Sequence, residues 1–536
     1  MNLPRIAFVF GCIGLACCVL TPGCSSGRQT PENVLQVGNA AEVQELDPHV
    51  VSGVSEHRVL SALFEGLTDY DPETLEAIPA VARSWDISED KFSYTFYLRE
   101  DARWSNGDPV TAADFLYAWR RILAPALGSE YAYLLYCLKN ARDFHEGTIT
   151  NFDEVGVRVI DDFTLETTLE HPTPYFLTMH NHYAWFPVHQ ATIEKHGVMD
   201  ARGTQWTQPV NFVGNGPFVL TAWHPNEIIS VRRNPNYWDA ASIRLEGIDF
   251  HPIDNLQTEE RSFRSGLLHL TSAIPLHRVD VYRRERPEVL NLHPYYGSYF
   301  YRLNVTRPPF DNPLVRKAFA LAVDRQEIAD HVLTSDERAA THFVPPAAGY
   351  TPTYQLEFNV EKARALLAEA GYPDGRGLPP IEILYNTSEA HRTIAEAIQR
   401  MWRENLNANA QLLNQDWKVY LSSMNTLDYH VARSGWIGDV ADPINFLECF
   451  QTGLGNNRTG WSSPEFDALI DAAYNESEHA TRFELLQEAE ALLLDGGPII
   501  PIYFYTWAFL KAPEVGGLTP NILGYMRWKD MYLTGA

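Results

Sequence analysis

Two rhythms of hydrophobic and polar positions run along this chain. The early segments "VLQVGNAAEVQELDP" (from Val34) and "YTFYLRE" (94–100) hold short apolar or alternating runs bounded by turn residues. A period of two with β-branched and aromatic residues predicts strands, so the first half should be strand-rich. From about residue 312 the period lengthens. Asn312-Pro313 opens "LVRKAFALAVDRQEIADHVL", with Leu314, Phe319, Ala322 and Val323 on one helical stripe and proline in the first turn. Asn359 caps "VEKARALLAEAGYP", which stops at Gly371 and Pro373. "IEILYNTS" then reads as a strand entering a helix capped by Thr387 or Ser388. Strands alternating with capped helices predict an α/β lobe with a largely parallel sheet.

At 536 residues the chain exceeds one core, and a length prior of about 150 residues per domain suggests roughly three. No repeat period, long charge run or Gly/Ser linker divides it, so short crossings should join the lobes. With 42 basic against 68 acidic residues the net charge is −26, which argues against a nucleic-acid partner. The acidity is most simply a solvated surface. Trp, Tyr and Phe number 13, 26 and 26, a large supply of contact surface for a globular protein.

The start, "MNLPRIAFVFGCIGLACCVLTPGCSSG", has Arg5, an apolar run from Ile6 to Leu20 and small residues up to Cys24, the pattern of an export signal over 1–23. The run is short for a membrane span, and no later stretch reaches about 18 apolar residues. Cys12, Cys17 and Cys18 would leave with the signal, so Cys137 and Cys449 remain beside Cys24. Spacing alone cannot pair them, and a structural disulfide is not expected.

Known chemistry is scarce. G-x-x-x-x-G-K-[ST], H-E-x-x-H and C-x-x-C are absent, and none of the 18 histidines has a partner at metal-ligand spacing. "GCSSG" at 23–27 formally matches G-x-S-x-G but lies across the cleavage site rather than at a strand-to-helix elbow. No metal, no cofactor and no enzyme activity are expected. An exported, aromatic-rich chain without catalytic motifs reads as a binder.

Collinear segments then narrow the reading: "VQELDPH", "LFEGL", "VARSWDIS", "YTFYLREDARWSNGDPVTAADFLYAWRR", "VGNGPFVL", "RRNPNYW", "LLNQDW", "ARSGW" and "IIPIYFY". Together they resemble the oligopeptide-binding proteins of peptide ABC importers, extracellular solute-binding protein family 5, over essentially the whole mature chain. The region around Cys24 likewise resembles a lipoprotein signal in which that cysteine is acylated; an ordinary cleaved signal is the alternative. The resemblance implies a periplasmic binding protein-like α/β fold whose two lobes close on a hinge, with an extra inserted domain. The boundaries it implies are 25–64, 190–296 and 507–536 for a discontinuous first domain, 65–189 for the insertion, and 297–506 for the α/β domain. It also implies a monomeric, exported receptor that hands oligopeptides to an ABC permease.

Site residues follow by the same resemblance. Asp439, just past the strand-like "ARSGWI", matches the aspartate that takes the peptide's α-ammonium; helix capping is the competing role, although Asp442-Pro443 already supplies a cap for "INFLECF". Ser52-Gly53-Val54 and Gly435-Trp436-Ile437 match strands that pair with the ligand main chain, where glycine admits close approach; Gly53 alone also fits a turn. Arg433 and His391 match cations that meet the ligand carboxylate, His391 in a helix first turn that itself favours anions. Trp417, Trp436 and Tyr131 match cleft aromatics, with core packing the alternative for each and equally open for Trp417. Two departures stand out: relatives carry a disulfide where this chain has Gly297 and Ile437, and an often acidic pocket position is Arg302, which favours acidic or shorter peptides. Other cargo on the same scaffold (dipeptide, cell-wall peptide, nickel, haem, oligosaccharide) and a peptide-sensing lipoprotein without a transporter are the alternatives.

Overall fold

A computed structural model of the protein describes residues 33–536 apart from 334, 347–348 and 536, and only the backbone of Lys418. The leader and Cys24 lie outside the described residues.

Strand Val34–Gly38 pairs in parallel with Gly247–His251, and that sheet continues antiparallel through Ile228–Arg233 to Phe218–His224. A second sheet is wholly antiparallel, in the order Ala82–Ile87, Ser93–Leu98, Thr164–Thr168, Val157–Asp161. The alternation read in "YTFYLRE" appears here as alternate burial along Ser93–Leu98, the outcome of one face packing on a core. The third sheet has six strands: Arg338–Ala339, Ile499–Leu510, Leu290–Leu303, Val431–Ile437, Ile381–Asn386 and Ala410–Gln415.

That last sheet corrects the expectation of largely parallel pairing. Ile381–Asn386 runs parallel to both Ala410–Gln415 and Val431–Ile437, as a strand–helix–strand unit requires. The other pairings are antiparallel, because Leu290–Leu303 and Ile499–Leu510 enter together from the other core. The long helix expected after Asn312 is also two: Pro313–Leu321, and Arg325–His331 capped by Asp324, whose carboxylate accepts the Glu327 N–H at 2.9 Å. Asn359 caps Val360–Glu369 as expected.

Buried apolar side chains gather into two large cores. One includes Leu35, Phe96, Trp119, Trp185, Phe250 and Phe509; the other includes Phe300, Phe319, Trp402 and Ile500. Strand Ile499–Leu510 serves both, with Ile499–Tyr503 in the second core and Trp507–Leu510 in the first. Its pairing with Leu290–Leu303 is interrupted between Pro294 and Ser298, where the chain passes from one core to the other. Proline cannot donate to a ladder, so the break falls where the sequence weakens it. The loop after Val431–Ile437 crosses the same boundary: its strand belongs to the second core, yet Val440 is buried in the first.

Candidate functional site

Strand Val431–Ile437 lies inside the six-stranded sheet but is paired unequally. On one side it is matched from Val431 to Ile437 by Leu303 to Gly297. On the other, Ile383 and Leu384 reach only Val431 and Ala432. Arg433–Ile437 therefore present an open edge inside the molecule. The Gly438 N–H points to Tyr296 O on the paired side, and the Arg433 carbonyl accepts the Tyr420 hydroxyl on the other. By alternation, the N–H and C=O groups of Gly435 and Ile437 face the open side. Gly435 is glycine for a local reason too: a Cβ there would stand 2.6 Å from the Tyr505 hydroxyl oxygen.

Asp439 sits at one end of this edge, in the loop between the cores. Its side chain is 17% exposed, its backbone N–H donates to Asn445 Oδ1 at 2.8 Å, and its carbonyl accepts the Tyr525 hydroxyl at 2.8 Å. No lysine or arginine pairs with its carboxylate among the described residues. The basic group that reaches it, His182 Nε2 at 4.0 Å, is kept neutral by burial and by the neighbouring His57. Burial, reinforced by the negative charge of Glu448, pushes the Asp439 carboxyl up to about 7, against hydrogen bonding by Asn445 and Tyr133. Tyr131 belongs to this pocket: its ring lies 4.9 Å from His182 and 5.5 Å from Tyr183, and burial and the Asp439 charge raise its phenol.

Arg433 sits at the other end. Its Nη2 donates to the Tyr505 hydroxyl at 3.0 Å, Nη1 reaches Asn386 Oδ1 at 3.4 Å, and its guanidinium stands 4.8 Å from the Tyr299 ring centre. Nε is buried without a partner, and no carboxylate pairs with the group among the described residues. His391 is close by, its Nδ1 3.4 Å from the Tyr299 hydroxyl in the first turn of helix Glu389–Leu406. It is not the second cation the sequence suggested: burial, then the Arg433 charge, hold its imidazole down to about 2.

The remaining expected residues divide. Trp436 joins the Asp439 pocket, with Nε1 3.4 Å from Asn445 Oδ1. Trp417 is 54% exposed and stacks on Tyr420 with centroids 5.5 Å apart, so it is not core packing. Ser52 and Gly53 lie outside every sheet, Gly53 in extended conformation, but Val54 starts helix Val54–Leu63, whose first turn closes through His57 N–H to Gly53 O at 2.9 Å. The segment is therefore extended no further than Gly53, and Val54 is the first residue of a helix rather than part of a strand. Gly297 and Ile437 are cross-strand neighbours; the Ile437 δ-methyl lies 2.4 Å from where a Gly297 Cβ would sit and fills that space. Cys137 and Cys449 are free and buried. Sequence reasoning missed Asn445, Tyr133, His182, Tyr299, Tyr505 and Tyr525, because single aromatic and amide residues on distant segments leave no spacing pattern.

The geometry is thus an open strand edge held between a buried carboxylate and a buried guanidinium, neither with a partner of opposite charge among the described residues. Among known proteins, the chain is 38% identical over 521 residues to the dipeptide-binding protein DppE of Bacillus subtilis, covering 94% of this chain and 93% of that one. It is 37% identical over 507 residues to the periplasmic oligopeptide-binding protein OppA of Escherichia coli, covering 90% and 89%. The structure of the Escherichia coli murein tripeptide binding protein MppA superposes with a TM-score of 0.85 at 33% identity, over 94% of this chain and 99% of that one; MppA in its unliganded open form gives 0.73 over 93% and 97%. Residues 76–458 match the middle region of the bacterial extracellular solute-binding proteins, family 5. With that match and those relatives, the chain belongs to the bacterial extracellular solute-binding proteins of family 5, and it has their two-lobed α/β periplasmic binding protein fold.

Proposed function

We propose that this protein captures oligopeptides between its lobes and delivers them to an ABC permease, without chemistry of its own. One observation carries the reading: the open edge Arg433–Ile437 runs between an unpaired Asp439 and an unpaired Arg433. A peptide supplies all that this arrangement lacks, namely an ammonium, a carboxylate and a row of main-chain donors and acceptors. Paired antiparallel, its N-terminus lies at Asp439 and its carboxylate toward Arg433. The six residue steps from Arg433 to Asp439 span at most about 20 Å, and with both side chains reaching inward the gap suits about three to five residues. Asp439, Arg433, Gly435, Trp436, Ile437 and Tyr131 make the first contacts; Ser52 and Gly53 pair from the opposite lobe, and Trp417 and neutral His391 border the carboxylate end.

The domain division proposed for closure is 25–64, 190–296 and 507–536, with 65–189 inserted and 297–506 as the other lobe. The separate sheets of Val34–Gly38 and Ala82–Ile87 support placing the insertion apart. Export, with Cys24 acylated as the membrane anchor and a monomeric receptor, fits a chain in which no helix of the described residues is long and apolar enough to cross a membrane.

The test is to purify the protein beginning after Cys24, denature it and identify the released cargo by mass spectrometry. Intact peptides of a few residues are expected. A sugar, a metal complex or haem would overturn the cargo, and cleaved peptide fragments accumulating on incubation would overturn the absence of catalysis.

A further inference from the structure

The strand with the open edge has a second face. Arg433, Gly435 and Ile437 share the side of Tyr299 and Tyr505, so Ser434 and Trp436 point the other way. On that side lies Arg302, 3% exposed. Its Nε donates to Ser434 Oγ at 3.1 Å and its Nη1 to the Asn456 carbonyl at 2.6 Å, with the guanidinium 5.4 and 5.5 Å from the Phe300 and Phe450 ring centres. Two residues past Asn456 stands Arg458, whose side chain makes no hydrogen bond or ion pair among the described residues and whose Nε is buried. Tyr420, which caps the Arg433 carbonyl at the start of the open edge, feels the charges of Arg433, Arg302 and Arg458 together.

No carboxylate pairs with any of these three arginines among the described residues, in a chain carrying a net charge of −26. Arginine does not escape burial by losing its proton, and neutral acceptors offset the loss of water only in part. The cluster is therefore short of an anion, and Arg433 accounts for only one. A peptide strand added along an edge sends alternate side chains to the two faces, so part of any peptide here points to the Arg302 side.

Resting on the peptide reading above, we propose that this face is a specificity pocket for an acidic side chain, aspartate or glutamate, of the bound peptide, with Arg302 and Arg458 meeting its carboxylate.

The test is calorimetric titration with trialanine and with tripeptides carrying glutamate or glutamine at each position in turn. At one position glutamate should bind at least tenfold more tightly than glutamine. Arg302→Gln and Arg458→Gln should each bring that ratio towards one; the half-buried Arg458 keeps the test available should Arg302→Gln fail to fold. A ratio near one at every position, with trialanine still binding, overturns the acidic pocket and leaves the peptide reading standing. A ratio that persists in both variants overturns the assignment to these arginines. Failure of every tripeptide, trialanine included, overturns the peptide reading and the pocket with it.

Discussion

Asp439 and Asp442 lie three residues apart in one loop and have opposite circumstances. Asp442 is held by Arg482 through two bonds, Nη1 to Oδ2 at 2.8 Å and Nη2 to Oδ1 at 2.9 Å, and its Oδ1 also accepts the Ile444 N–H at 3.0 Å. Asp439 has hydrogen-bond donors but no lysine or arginine partner among the described residues, and burial lifts its carboxyl to about 7. The first aspartate is a finished structural joint; the second is left incomplete within the fold. Buried charge is tolerated poorly unless paired, and this contrast is the ground for proposing that a ligand supplies the missing charge at Asp439.

Breaking the finished joint should have the largest effect. Asp442→Ala strands the Arg482 guanidinium, which is 1% exposed, and should lower unfolding stability by about 3–5 kcal/mol in urea titration. Replacing both partners with apolar residues of similar size should recover most of that loss.

Asp439→Asn should do the reverse. The free protein should keep or gain stability, while peptide affinity falls by about 1.5–3 kcal/mol in titration calorimetry. The sign for stability follows from linkage. The folded carboxyl titrates near 7 and an unfolded one near 3.9, so the folded form binds the proton more tightly. Its contribution is fully present below the unfolded value and is lost as pH rises through about 7, so the melting-temperature gain of Asp439→Asn should grow over that window.

Arg433→Gln should cost tripeptide affinity by about 1.5 kcal/mol, and C-terminal amidation of the peptide should cost the variant far less than the wild type. The smallest effect sharpens the contrast at Asp439. Peptide binding should release protons near neutral pH, and affinity should fall at most about tenfold per pH unit below 7. Calorimetry in buffers of different ionisation enthalpy measures the release, and Asp439→Asn should abolish it.

Much of this was legible in the chain. Asn312, Asn359 and the "IEILYNTS" strand announced their elements because capping and periodicity are local. The single helix drawn through Asp324 failed because its apolar stripe outweighed an internal cap. The sheet's mixed direction could not be read, since it depends on two strands arriving from the other core. Asp439 is singled out by the collinear family segments, whereas its raised carboxyl follows from burial and the charge of Glu448, which no local spacing reveals. His391 misled in the same way: its position was read, but its charge is set by burial and by Arg433.

The most direct measurement titrates a free tripeptide and its N-acetylated form into wild-type protein and Asp439→Asn. If Asp439 takes the peptide ammonium, acetylation should cost the wild type at least about tenfold in affinity, from a charge-assisted hydrogen bond, and should cost the variant almost nothing. Equal losses in both proteins would contradict that role and place the ammonium elsewhere.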